Sequence, residues 1–169
     1  ISIAGGSSSG NLNGTGHVAG FSGAIGMIFF SGALYIANQY NIRRLDPYST
    51  VATTISGLSK NIATLDGGKN DACFRSPYGI ATDGNYLYVT DDKDAVTVYD
   101  KNSGRAGWRQ DKLAHRLVTA PLALGAWVVV ADGEGYVHVL SADDGSFVAR
   151  PRVDSGVRTP HHAAAHSGL

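Results

Sequence analysis

Ser76-Pro77-Tyr78-Gly79-Ile80-Ala81-Thr82-Asp83-Gly84-Asn85-Tyr86-Leu87-Tyr88-Val89-Thr90-Asp91 carries the signal that decides the fold. Two runs suited to strands, Tyr78 to Thr82 and Tyr86 to Thr90, flank Asp83-Gly84-Asn85, three residues that take up turn geometry at little steric cost. A third run, Ala95 to Tyr99, follows the turn Asp91-Asp92-Lys93-Asp94 and ends at Asp100-Lys101-Asn102-Ser103-Gly104. The same order of residues stands 53 positions earlier without a gap. Ala19-Gly20-Phe21 lies over Ala72-Cys73-Phe74, Gly26 over Gly79, Leu34-Tyr35-Ile36 over Leu87-Tyr88-Val89, and Asn38 over Asp91. This copy adds a fourth strand, Val51 to Ile55, which ends at Gly57. Ile1-Ser2-Ile3-Ala4-Gly5-Gly6 is similar to Thr53-Thr54-Ile55-Ser56-Gly57 and reads as a spare fourth strand, out of phase with the repeat.

A third unit follows with expected strands Ala120 to Leu124, Trp127 to Ala131, Tyr136 to Ser141 and Phe147 to Arg150. Asp132-Gly133 and Asp144-Gly145 are hairpin signals between them. Four short strands per unit, repeated at a period of 40–55 residues, predict an all-β chain: a β-propeller of four-stranded antiparallel blades, about three per chain. Composition agrees. The 169 residues include 22 glycines and only 17% charged residues, and Glu134 is the sole glutamate, so surface helices lack their usual material. Three blades do not close a ring, because closed propellers have typically four to eight. The chain is therefore expected to close its ring as a homo-oligomer, a dimer first.

Charge excludes several functions. Fourteen basic and fourteen acidic residues cancel, and no basic stripe is present, so nucleic acid is not an expected partner. No apolar run reaches the length of a membrane-spanning helix, so no membrane span is expected. The single cysteine, Cys73, excludes an internal disulfide framework and a cysteine-based zinc site.

Residues 1–104 resemble the NHL-repeat family of propellers. The carrying residues are Phe74, Ser76-Pro77-Tyr78-Gly79-Ile80-Ala81 and Gly84-Asn85-Tyr86-Leu87-Tyr88-Val89-Thr90-Asp91; the first copy departs with Ala24 and Asn38. Residues 105–158 resemble another family. Asp111 to Pro121, Asp132-Gly133-Glu134-Gly135-Tyr136-Val137-His138 and Asp143 to Ala149 are similar to one blade of the PQQ-type-repeat propeller lipoproteins of the bacterial outer-membrane β-barrel assembly machinery. The two resemblances meet near Lys101 to Trp108 and imply a chain recombined from two propellers, with 159–169 as a disordered or tag-like tail. They also imply a bacterial periplasmic or extracellular setting.

Candidate chemistry is sparse. Gly6-Ser7-Ser8-Ser9-Gly10 matches a nucleophile-elbow pattern but lacks a following helix, so it reads as a flexible loop. Asp91, Asp92 and Asp94 offer hard oxygen ligands yet read as a solvated turn. His162 and His166 stand four apart without a third ligand, and Lys69 lacks the remainder of a phosphate loop. His115 is set aside, His138 reads as a satisfied or edge histidine, and Trp108 and Trp127 as blade packing. No catalytic, cofactor-binding or metal-binding residue is therefore assigned, and no cofactor is expected. The expected function is a non-catalytic scaffold that binds a protein partner through blade-end loops, possible artificial origin included. The alternative is a metal-dependent propeller enzyme of lactonase or lyase type.

Overall fold

The structure, a computed structural model, describes residues 3–6, 10–57, 74 and 76–153. Three antiparallel sheets follow one another along the chain. The first blade consists of β1 (Gly14–Thr15), β2 (Gly26–Phe30), β3 (Ala33–Asn38), β4 (Asn41–Leu45) and β5 (Val51–Ser56) in the order β1-β5-β4-β3-β2. The second holds β6 (Gly79–Thr82), β7 (Tyr86–Thr90), β8 (Val96–Asp100) and β9 (Ala106–Gln110), and the third β10 (Leu122–Leu124), β11 (Trp127–Ala131), β12 (Val137–Ser141) and β13 (Phe147–Ala149), each in sequential order. The only helical element among the described residues is a 3-10 turn, Gly16–Val18. This is the expected all-β architecture of stacked four-stranded blades.

The blades pack face to face through two apolar layers. Ala33, Tyr35, Ala37 and Ile42 of the first meet Ile80, Leu87, Val89 and Tyr99 of the second. Tyr88, Val96 and Val98 of the second meet Val128, Val130 and Leu140 of the third, with Leu113 and Val118 at the edge. A strand buried on both faces cannot alternate apolar with polar, which is why Val96-Thr97-Val98-Tyr99 is buried throughout. The repeat's glycine has a physical reason. A Cβ on Gly26 would lie 2.1 Å from the Tyr78 carbonyl oxygen, and one on Gly79 would lie 2.6 Å from the Ala120 Cα. Each glycine stands where the first long strand of a blade touches the backbone of the next, a distance that admits no side chain.

Two readings need correction. The expected spare strand at residues 1–6 is not a strand where it is described: Ile3 and Ala4 bend, and Gly5 takes φ +109°, outside extended backbone. Gly5 and Gly6 instead donate to the Gly16 and Ala19 carbonyls at 3.1 Å. Gly14–Thr15 is the segment that adds to the outer edge, pairing with Ala52 and Val51. The N-terminal segment thus covers the far face of the first blade, where Ala4 and Phe21 pack over Ile36, Leu45 and Ala52. The second correction concerns the fourth strand of the second blade, which the sequence left unassigned. It is β9, so the boundary drawn after Gly104 falls between β8 and β9, inside one sheet. Among the described residues nothing covers the far face of the third blade: Leu122, Leu124 and Trp127 are about half exposed.

Candidate functional site at the turn end of the third blade

In each blade the turn between the second and third strands carries a buried polar side chain. In the first it is Asn38, whose Oδ1 accepts the Ser22 N–H at 3.1 Å and whose Nδ2 donates to Asn41 Oδ1 and to Asn11. Nearby Arg43 is fully buried, donates to the Leu12 carbonyl at 2.6 Å and to Thr54 Oγ1 at 3.2 Å, and lies over the Phe21 ring. Burial pulls its pKa below the usual arginine value. This cluster anchors the N-terminal segment.

In the second and third blades the turn is built alike. Asp91 Oδ1 accepts the N–H groups of Lys93 and Ala95, two and four residues on; Asp132 Oδ1 accepts those of Glu134 and Tyr136 at the same spacing. A side chain that mimics a backbone acceptor in this way closes the turn locally. The second oxygen faces a cation in both: Arg109 at 2.8 Å from Asp91, and Arg116 at 2.9 Å from Asp132. Asp94 Oδ1 and Oδ2 accept the Val118 and Leu117 N–H groups at 3.1 Å, tying the second blade to the entry of the third. The Tyr78 hydroxyl adds a 2.7 Å bond to the Val118 carbonyl. Asp91 and Asp94 are therefore buried fasteners, not the solvated turn expected from three neighbouring aspartates; only Asp92 of the three is exposed. The Asp94 backbone partners come from residues 23 and 24 positions away, which no local pattern reveals.

The third blade carries the densest cluster. Asp132 Oδ2 receives both Arg116 Nη1 at 2.9 Å and His138 Nε2 at 2.8 Å, and Arg116 also reaches Glu134 at 3.0 Å. Burial alone would raise the Asp132 pKa, but the bonds from His138, the Tyr136 N–H, Arg116 and the Glu134 N–H outweigh it and bring it down to about 2. With Asp132 ionised, His138 Nε2 donates to it, and the buried Nδ1 has no partner among the described residues, the ring standing between Tyr136 and Phe147. Four donors fill the four acceptor directions of the Asp132 carboxylate. It orients its neighbours and has no free lone pair for a substrate proton. Beside it, Tyr136 lies under two guanidiniums, Arg150 at 4.4 Å and Arg152 at 5.5 Å from the ring centre.

Trp108 lies between the second and third blades, donating through Nε1 to the Ala142 carbonyl at 2.8 Å, whereas Trp127 is half exposed on the uncovered face. His115 is exposed and apart from the cluster. Sequence reading did not find Arg116, Glu134 or Arg109. The available signal was the shared Asp with donors two and four residues on, in Asp91 to Ala95 and Asp132 to Tyr136. Ser7 to Ser9, Lys69, Cys73, His162 and His166 lie outside the described residues.

Residues 54–164 match the family of the outer membrane protein assembly factor BamB. The chain belongs to the BamB family. BamB of Burkholderia pseudomallei is 47% identical over 81 residues, 48% of this chain and 21% of that protein. BamB of Escherichia coli is 33% identical over 134 residues, 73% of this chain and 34% of that protein. The chain thus spans about a third or less of the length of these BamB relatives. The BamB match spans Lys101 to Trp108, the segment where two resemblances met. BamB of Moraxella catarrhalis has a similar fold, with a TM-score of 0.56 at 19% identity over 75% of this chain and 34% of that one. A europium-containing methanol dehydrogenase is nearly as similar, with a TM-score of 0.52 at 19% identity over 75% and 24%. The fold is shared by assembly factors and enzymes, so the fold alone does not assign an activity.

Proposed function

We propose that the chain is a non-catalytic propeller segment that binds protein partners in the assembly of outer membrane proteins, in a bacterial periplasmic setting. Membership of the BamB family supports the setting. One observation carries the non-catalytic reading: the buried carboxylates of the turn end are spent on structure. Asp132 is saturated by four donors, and each Asp94 oxygen holds an N–H group at the entry of the next blade. A lactonase or lyase needs buried carboxylates free to hold a metal or move a proton, and the Asp132 carboxylate is already taken up by its four neighbours. Binding then falls to what the turns expose, Leu117 at 63% and Glu134 among them.

The family match on both sides of Lys101 to Trp108 is explained by a single BamB-type segment, with NHL-like residues in its first part, more simply than by recombination. The uncovered face of the third blade needs a neighbouring blade, and a second copy of this chain would supply one; light scattering should then show about twice 17.6 kDa. The test of the main reading is photo-cross-linking from Leu117 and Glu134 in a Gram-negative periplasm. Discrete cross-links to an outer-membrane assembly component are expected. Absence of any, together with turnover of a lactone or polysaccharide substrate lost on chelation, would overturn it.

A further inference from the structure

We infer that Arg150 and Arg152, held over Tyr136 on the outer edge of the third blade, form a receptor for an extended acidic protein segment with carboxylates at alternate positions. The inference rests on the binding-module reading above and names the chemistry of one partner.

The geometry begins with Arg150-Pro151-Arg152. In extended backbone, residues i and i+2 share a face and stand about 6.8 Å apart along the strand. Residues 150–153 continue β13 alongside the start of β12. The Val137 N–H donates to the Pro151 carbonyl at 2.9 Å, the Val153 N–H to the Gly135 carbonyl at 2.7 Å, and Tyr136 pairs directly with Arg152. Arg152 is thus the direct cross-strand neighbour of Tyr136 and Arg150 its diagonal one, so both guanidiniums reach one ring. Proline fixes its own φ and narrows the backbone of the residue before it, so the spacing is set before any ligand arrives.

The charge balance leaves this pair open. Among the described residues neither guanidinium is in an ion pair. The carboxylates of the neighbouring turn are engaged elsewhere: Asp132 with His138 and Arg116, Glu134 with Arg116. Two like charges on one ring repel, and an anion between them removes that cost. Guanidiniums already oriented lose little further freedom when they bind a carboxylate through two hydrogen bonds.

The shape selects the occupant. β13 is the last strand of its sheet, with Phe147, Val148 and Ala149 all exposed, so an extended segment can lie along it and present acids at the same period of two. An anionic membrane is a poorer match. Polybasic membrane sites gather about four to eight basic residues, whereas two open arginines stand here.

The probe is a fluorescein-labelled peptide of alternating Glu and Val flanked by Thr, titrated against the full chain and read by anisotropy at low salt. Saturable binding is expected, weakened about tenfold or more in the double variant R150A/R152A, by loss of at least one charge-assisted pair. Both side chains are exposed, and circular dichroism checks that the variant folds. A peptide with Gln for Glu should lose as much. Y136L, which keeps both charges, should weaken binding several-fold. No saturable binding, equal binding of the Gln peptide, or binding indifferent to the double variant would overturn the inference. So would binding to vesicles of about one-third phosphatidylglycerol that is lost in the double variant while the peptide stays unbound. Cross-links from Leu117 and Glu134 do not depend on these arginines, so failure here leaves the scaffold reading standing.

Discussion

Asp132→Asn tests whether the turn-end cluster holds the third blade together. Asparagine keeps one acceptor oxygen for the Glu134 and Tyr136 N–H groups, but its amide nitrogen then faces Arg116 and His138, two donors at 2.9 and 2.8 Å. Removing one partner of a buried ion pair costs about 3–5 kcal/mol. The Arg116 side chain is 24% exposed and can return to water, and His138 can move its proton to Nδ1 and accept, so about 2–3 kcal/mol is expected here. For a chain of this size that lowers Tm by about 5–10 °C.

The pH dependence separates charge from shape. The Asp132 pKa is about 2 in the folded chain, below the ~3.9 of an unfolded aspartate. Its ionic stabilisation is complete above about pH 4 and is lost as pH falls through 2. A shift of nearly two units corresponds to about 2.5 kcal/mol, and solvent at Arg116 and Glu134 reduces this to about 1–2 kcal/mol. The gap between wild type and variant should therefore shrink by about 1–2 kcal/mol between about pH 4 and pH 2. Urea unfolding followed by far-ultraviolet circular dichroism at several pH values measures it. A gap that stays constant down to about pH 2, or a variant within about 0.5 kcal/mol of wild type at neutral pH, refutes the reasoning.

Asp94→Ala strips the acceptors from the Leu117 and Val118 N–H groups and leaves alanine in a left-handed conformation at φ +59°. It should cost about 2–3 kcal/mol and speed hydrogen exchange at Leu117 and Val118 ahead of the strands around them. Gly79→Ala places a Cβ 2.3 Å from Thr90 Oγ1 and 2.6 Å from the Ala120 Cα. It should cost about 3 kcal/mol or more and lower the midpoint of urea unfolding accordingly, whereas alanine at exposed Gly125, with open space around it, should cost only the ~1 kcal/mol of its φ of +61°.

Much of the fold was legible in the residue order. Strands such as β7 and β11 were read with their observed bounds, because β-branched and aromatic runs bracketed by Asp, Asn and Gly encode strand and turn within a few residues. The 53-residue repeat announced the blades, and its aligned Gly26 and Gly79 mark the close approach of one blade to the next. The fourth strand of the second blade escaped, since Ala106-Gly107-Trp108-Arg109-Gln110 has little strand character of its own. It is held by pairing with β8 and by the bond from Trp108 to Ala142, 34 residues on. The N-terminal segment was read as a strand from its likeness to β5, yet its place is set by Arg43 and Asn38 reaching Asn11 and Leu12. Asp94 and Asp132 looked like ordinary turn residues because turn propensity is local. Asp94 is filled by N–H groups 23 and 24 residues on, at the entry of the next blade, and Asp132 by Arg116 and His138, 16 and 6 residues away. The sequence by itself determined which segments form strands and where they turn, because those choices are made by neighbours in the chain. Which carboxylates are buried, and which arginines are left open, was decided by the tertiary structure, because charge is satisfied by whatever lies nearest in space.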